Sequence, residues 1–293
     1  MPVKFLKKLK DIQKIDGSLK YRLHKKMAAW DAARSISTVH ASDITKPEFC
    51  PREFALLDET GKKPKGQFIG TSLRATFDLG NALQDSLNTD WGLDWCVGTW
   101  ECQVCGSVFN FQKKPDACAD CDNDLFRYIE ERFISPGHGF SGSVDYIFDC
   151  GEPLLKLVEV KTMVKDQFKT LKAPLSEHKD RTNMYIRLVD EADDWRSHRI
   201  NKEEALVFYI CKGFGCMDNT LKEKGIADAA FSPFKEFTVK RDDSLSDMFV
   251  AKAQAVHNFR NGGKMPHKIC DTSFCKRAKG CPVKNECWGG DYV

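Results

Sequence analysis

Hydrophobic and polar positions divide this chain into helical stretches, with apolar residues every three or four places, and shorter strand-like runs. The most ordered strand pattern lies between Gly139 and Met163, GFSGSVDYIFDCGEPLLKLVEVKTM. Two β-branched and apolar runs, Phe140 to Phe148 and Leu154 to Val160, are separated by Cys-Gly-Glu-Pro, which predicts a hairpin. Upstream, Leu125 to Ser135 alternates as a strand feeding that hairpin. Downstream, Glu204 to Lys212 (EALVFYICK) is a continuous apolar run and reads as a buried strand, with Phe237 to Lys240 a shorter one. Helical spacing predicts a helix over Ser72 to Asp90, with Leu73, Phe77, Leu79, Leu83 and Leu87 on one face. Gly80 inside it costs helix stability and marks close packing. A second helix is predicted over Ser176 to Val189, with Arg181 and Tyr185 one turn apart. A third runs from Leu245 to Arg260 and is ended by Gly262 and Gly263. Between the hairpin and the second helix lies a loop or short helix carrying Lys165, Lys169 and Lys172. Near the N-terminus, Phe5, Leu6, Leu9 and Ile12 recur among lysines, predicting one or two amphipathic helices with a basic face over Met1 to Trp30. Ser42 is placed to cap a first turn, Pro51 suits the start of the next helix, and 61–67 (GKKPKGQ) reads as a loop.

The polar residues inside the hairpin change this from a fold to a candidate site. Asp145 interrupts the first strand, and Glu159 and Lys161 flank Val160 in the second. Alternate residues of a strand share a face, so Glu159 and Lys161 point the same way. With Asp145 opposite, two carboxylates, an ammonium and the Val160 carbonyl converge. Oxygen donors of this kind suit Mg²⁺ or Mn²⁺, and a lysine beside them can help deprotonate a water. That apparatus fits metal-assisted hydrolysis of a phosphodiester. An exposed hairpin carrying a surface salt bridge is the competing reading of the same three residues.

Composition narrows the class. The 293 residues carry 42% hydrophobic and 30% charged positions, enough for a full core and ordinary for a globular protein. No apolar run is long enough to span a bilayer, and the basic N-terminus lacks a signal-peptide core. The expected location is therefore the cytoplasm, without membrane contact. In that compartment the 13 cysteines are expected to include metal ligands rather than disulfides. Cys102-x2-Cys105 and Cys118-x2-Cys121 are two knuckles separated by twelve residues, a spacing that surrounds Zn²⁺ tetrahedrally. This ribbon is read as a structural staple; the alternative is a finger touching DNA through Phe109, Phe111, Lys113 and Lys114. Cys270, Cys275, Cys281 and Cys287 form a second group among Lys268, Lys276, Arg277, Lys279 and Lys284. It can bind zinc alone or share an iron–sulfur cluster with a distant cysteine. Cys50, Cys211 and Cys216, taken singly, read as core or loop residues. A net charge of +3 does not by itself indicate nucleic-acid binding; local basic clusters are the better clue.

Taken in order, these pieces resemble the RecB-type branch of the PD-(D/E)XK nucleases, from about Ser42 to Cys287. Within it they are most similar to the iron–sulfur exonucleases associated with CRISPR adaptation and their phage relatives, which also carry a zinc ribbon before the catalytic hairpin. The resemblance implies an α/β core: a small mixed sheet with the active site on one face, flanked by the 72–90 and 176–189 helices. It implies a basic helical arm over 1–40 and a nuclease domain over 41–293, with the ribbon inserted at 99–124 and a metal-cluster segment at 268–290. Asp145, following Gly142-Ser143-Val144, matches the metal-binding aspartate, and Glu159 and Lys161 match Glu-x-Lys. Phe49-Cys50-Pro51-Arg52 matches the N-terminal cysteine that holds a [4Fe–4S] cluster with three tail cysteines, here Cys275, Cys281 and Cys287, with Cys270 an extra candidate. Two motifs depart: Gly-x-x-x-His becomes Gly80-x-x-x-Gln84, and Gln-x-x-x-Tyr becomes Arg181-x-x-x-Tyr185. Gln84 still offers a carbonyl oxygen and Arg181 a phosphate grip. The implied activity is metal-dependent DNA hydrolysis, expected as an exonuclease on single- or double-stranded DNA. The implied setting is recombination, repair or replication, with replication or recombination proteins as partners. A catalytically weak DNA-binding or scaffolding member is the alternative. A zinc-ribbon accessory factor of transcription or replication explains the metal sites but not the hairpin.

Overall fold

The computed structural model describes residues 19–31, 35–64, 66–87, 91, 94–213, 223 and 232–289. Most of the expected N-terminal amphipathic arm, and Cys216, lie outside these. The elements are, in chain order, α1 (Leu19–Met27), β1 (Ala29–Asp31), β2 (Val39–His40), α2 (Ala41–Ile44), α3 (Pro51–Thr60), β3 (Gln67–Ile69) and α4 (Thr71–Ser86). Next come β4 (Val97–Cys102), β5 (Val108–Lys113), β6 (Phe126–Ile129), β7 (Glu131–Ser135), β8 (Phe140–Val144), β9 (Tyr146–Phe148) and β10 (Lys156–Met163). The chain ends with α5 (Lys165–Thr170), α6 (Ser176–Glu191), β11 (Glu204–Cys211), β12 (Phe234–Lys240), α7 (Asp243–Arg260), α8 (Lys276–Gly280) and α9 (Lys284–Gly289). Among the described residues no helix is long and apolar enough to cross a membrane.

The architecture is mixed α/β. A four-stranded sheet has the order β12-β11-β10-β9, in which β10 and β11 are parallel and the other pairs antiparallel. A parallel pair needs a crossover, and α5 and α6 supply it. A three-stranded sheet, β2-β8-β7, lies beside it, and β5-β4-β6 form the cysteine ribbon. Alternation along β10 sends its two faces into different cores. Leu157 joins Met184, Ile186, Leu188 and Val189 of α6 and Phe249, Val250, Ala253 and Val256 of α7. Val158 and Val160 join Trp100, Tyr128 and Tyr146 on the ribbon side. Glu159 and Lys161 share the Leu157 face, under α6.

Two expected strands are each broken, and both breaks matter. The run Phe140 to Phe148 is β8 and β9, which belong to different sheets, with Asp145 as the joint. The hairpin ladder pairs Lys156 with Phe148 and Val158 with Tyr146 and ends there. Beyond it, the Asp145 carboxylate accepts the N–H of Val160 at 2.8 Å. A side chain thus satisfies a donor that the ladder has released, and the chain can leave for the neighbouring sheet. Likewise the run Leu125 to Ser135 is β6 in the ribbon and β7 beside β8, divided at Glu130. Glu131 is turned inward onto the Arg196 guanidinium, whereas Glu130 faces outward.

Smaller differences have local causes. Of the expected Ser72–Asp90 helix, Thr71–Ser86 is observed, and 88–90 lie outside the described residues. Ser42 does not cap: it lies inside α2, whose N-cap is His40 with no side-chain cap bond. Pro51 opens α3, and Gly61 ends it in the left-handed region at φ 64°, a conformation glycine adopts without a Cβ penalty. Gly262, at φ 83°, ends α7. A Cβ on Gly80 would sit 2.9 Å from Thr162 Oγ1, so glycine is what lets α4 approach β10.

Candidate active site and metal centres

The joint between β8 and β9 and the middle of β10 hold the candidate trio. Lys161 Nζ lies 2.5 Å from Glu159 Oε1, 3.6 Å from Asp145 Oδ2, and donates to the Val160 carbonyl at 2.9 Å. From α6, Arg181 donates through one terminal nitrogen to the same Glu159 oxygen at 3.3 Å. Glu159 is 2% exposed. Burial, and next the Asp145 charge, push its carboxyl up, against the pull of Lys161 and Arg181. Its second oxygen, Oε2, is buried with no partner, and so is Arg181 Nε. A buried carboxylate oxygen without a donor is costly, and a cation is what it lacks.

The other sequence candidates fall around this group. Tyr185, one turn beyond Arg181 on α6, is buried, and a Cβ on Gly142 of β8 would meet its ring at 3.0 Å. Gly142, ahead of Asp145, is therefore one place where α6 packs closely on the sheet. Gln84 lies across a cavity of about 290 Å³, lined by Asn81, Gln84, Asp85, Glu130, Asp145 and Tyr146 among others. Its backbone carbonyl accepts the Tyr146 hydroxyl at 3.0 Å.

Two residues here escaped sequence reasoning. Glu130 adds a third carboxyl to the cavity; loss of hydration, then the Asp145 charge, push it up to about 7. Its signal was the Glu-Glu pair inside an alternating run, which places one carboxyl on each side of the strand. His178, one turn before Arg181, is held neutral: burial, then Lys161 and Arg181, depress it to about 4. The Tyr209 hydroxyl accepts the N–H of Leu175 at 3.0 Å and lies 2.7 Å from His178 Nδ1. Tyr209 thus holds the ring at Nδ1, while Nε2 lies 3.5 Å from the Glu177 carboxylate. No short motif announces such a histidine; it is found only once α6 lies on β11.

In the ribbon, Cys102, Cys105, Cys118 and Cys121 bring all four sulfurs within 4.8 Å of one another, the arrangement that can hold a metal ion. Closest pairs are Cys102 with Cys121 at 3.6 Å and Cys105 with Cys118 at 3.5 Å. A tetrahedral ion at 2.3 Å from each thiolate spaces them at about 3.8 Å. The two knuckles repeat one another. Gly106 N donates to Cys102 O and Asp122 N to Cys118 O, both fourth residues having positive φ. Of the side chains considered as a DNA-touching face, Phe111 is buried and Phe109 lies edge-on to Phe126. Lys113 pairs with Asp149 at 3.0 Å and Lys114 lies over Phe126. Phe109 and Phe111 are engaged within the fold, while the Lys113 side chain is 58% exposed.

The C-terminal cysteines pack against α3. Val283 is buried with Leu56 and Leu57, and Cys281 and Cys287 lie against them. Arg277 donates to the Glu48 carbonyl, pairs with Glu53, and reaches Cys270 Sγ at 3.7 Å. Cys50 stands at the N-cap of α3. Arg52 donates to the Pro266 carbonyl at 3.1 Å. The tail and the Cys50 region are thus tied together. Among the described residues only the ribbon draws three or more potential ligands within 4.8 Å. A single ion needs that closeness, whereas a cubane cluster holds its thiolates further apart.

No protein-family model and no curated protein matches the chain. Sixteen chains of solved structures are similar, among them SSO0001 and LHK-Exo. SSO0001 covers 91% of this chain and 94% of its own, at 15% identity and a TM-score of 0.36. The alkaline exonuclease LHK-Exo from Laribacter hongkongensis covers 82% of this chain and 93% of its own, at 11% identity and a TM-score of 0.43. LHK-Exo in complex with dAMP covers 78% and 90%, at 12% identity and a TM-score of 0.40.

Proposed function

We propose that this chain is a metal-dependent DNA nuclease that hydrolyses phosphodiester bonds, acting as an exonuclease in recombination, repair or replication. The observation that carries the reading is the meeting of Asp145, Lys161 and Arg181 around buried Glu159, whose second oxygen has no partner. Asp145, Glu159 and the Val160 carbonyl would hold Mg²⁺ or Mn²⁺, which suits an all-oxygen donor set. When bound, the ion offsets charge on the phosphate and acidifies a water. Lys161 Nζ sits at the junction of the three oxygen donors, where it orients the attacking water and a phosphate oxygen. Tyr185 and neutral His178 lie on the same helix as Arg181 and position the strand; Gln84 and Glu130 line the mouth of the site.

Zn²⁺ is the ion proposed for the ribbon. Cys50 with three of Cys270, Cys275, Cys281 and Cys287 is proposed to hold a [4Fe–4S] cluster, closing a loop across most of the chain. The exposed lysines of α1 and the tail supply a salt-sensitive, sequence-independent grip on DNA. The cytoplasm, a phage-infected host's included, is the proposed setting.

The test is cleavage of 5′- and 3′-labelled single- and double-stranded DNA with Mg²⁺ or Mn²⁺, using protein purified without oxygen, beside Lys161→Ala. Cleavage lost in Lys161→Ala establishes the reading, and the label pattern gives polarity. Equal cleavage by Lys161→Ala removes the mechanism. Tight binding without cleavage by metal-replete protein turns the account to a scaffold, with Gln84 and Arg181 the residues to revert.

A further inference from the structure

The contact between Arg181 and Glu159 is an unusual one for two such groups. Guanidinium and carboxylate pair most strongly through two parallel hydrogen bonds. Here a single nitrogen reaches a single oxygen at 3.3 Å. Arg181 Nε and Glu159 Oε2, which take no part in this contact, are both buried and both without partners. Lys161 already holds the shared oxygen at 2.5 Å, so a second cation is present and the pair is still unfinished. One idle atom is an acceptor suited to a cation; the other is a donor suited to an anionic oxygen.

Charge counting sharpens this. Asp145, Glu159, Lys161 and Arg181 sum to zero, and Glu130 at the mouth adds one negative charge when ionised, so a divalent ion entering beside Arg181 leaves one or two uncompensated positive charges in a partly buried site. Those charges are relieved when a phosphate arrives. Arg181 is 30% exposed at its side chain and stands on α6, so it can turn outward without the sheet moving.

We propose that Arg181 is a counter-ion that holds Glu159 in the metal-free protein, is displaced from it when the catalytic cation loads, and then grips the phosphate. This rests on the metal-dependent nuclease reading above. Its consequence is coupling: metal and DNA each bind more tightly with the other present, and the coupling is reciprocal. A glutamine at this position would leave Glu159 open to the ion and remove the barrier.

The experiment is Mn²⁺ binding by electron paramagnetic resonance on the full, zinc-loaded protein, with and without a short phosphorothioate single strand. The proteins are wild type, Arg181→Gln, Arg181→Lys and Asp145→Ala. Without DNA, Arg181→Gln should bind Mn²⁺ more tightly by roughly 5- to 100-fold, the usual span of coupling between two ligands. Arg181→Lys, which keeps the charge, should stay near wild type. Adding the strand should tighten Mn²⁺ binding in wild type and do so much less in Arg181→Gln. Equal or weaker Mn²⁺ binding by Arg181→Gln overturns the proposal, as does wild-type protein whose Mn²⁺ affinity ignores the strand. If Arg181→Gln does not fold, the wild-type response to the strand decides alone. Mn²⁺ binding by Asp145→Ala as tight as wild type would instead overturn the nuclease reading of the site.

Discussion

Gly98 connects the ribbon to the strand that follows Asp145, and replacing it with alanine tests that connection. It lies in β4, 47 residues before Asp145, at a register shift between β4 and β5. A Cβ there would meet Tyr128 at 2.4 Å from Cε2, 2.8 Å from the hydroxyl oxygen and 2.9 Å from Cζ. Carbon atoms rest at about 3.5–4.0 Å, so the ring must withdraw by roughly 1 Å. Tyr128 is buried, edge-on to fully buried Trp100 at 5.2 Å and stacked on Tyr146 at 5.4 Å. Trp100 has no room to give, so the displacement passes to Tyr146, the residue after Asp145. Overpacking costs about 1–3 kcal/mol. Replacing glycine also stiffens the unfolded chain, which returns about 0.4–1 kcal/mol. The net expectation is a loss of roughly 1–2 kcal/mol. A shift of about 1 Å at a catalytic group can cost about 100-fold in rate, so cleavage should fall 10- to 100-fold. Urea denaturation and the labelled-DNA assay measure both. Gly137→Ala is the control, because its Cβ would meet nothing within 4 Å. Gly98→Ala with the stability and rate of Gly137→Ala would refute the chain of contacts from ribbon to active site.

Chelating the ribbon ion, or Cys105→Ser, should change the environment of Trp100 and lower cleavage while the far-ultraviolet helix signal persists, because α6 and α7 belong to a separate core. Trp fluorescence, circular dichroism and metal counting follow this. His178 is neutral in the fold, depressed to about 4 from an ordinary 6.5. Its contribution to stability is full above pH 6.5 and is lost as pH falls towards 4, by at most about 3 kcal/mol. His178→Gln should flatten the urea midpoint across that window, and an unchanged slope would count against the neutral assignment. Met184 is fully buried in the main core, so Met184→Ala should cost about 2–5 kcal/mol in urea denaturation while leaving the Mg²⁺ requirement of cleavage unchanged.

The local pattern determined a good deal by itself. Strand alternation put Glu159 and Lys161 on one face, helical spacing put Arg181 and Tyr185 on another, and two CxxC pairs carried the ribbon. These are period-two, period-3.6 and knuckle spacings, set by backbone geometry within a few residues. The tertiary structure decided what no local period encodes. Asp145 and Glu130 each break a strand-like run because their neighbours join different sheets, a matter of which distant strands are available to pair. The same assembly turned Arg181 onto Glu159 and left one atom of each unpaired. It also set His178 against Tyr209, more than thirty residues away. Contacts between such distant segments arise from how the sheets and α6 pack, and that packing is a property of the whole chain.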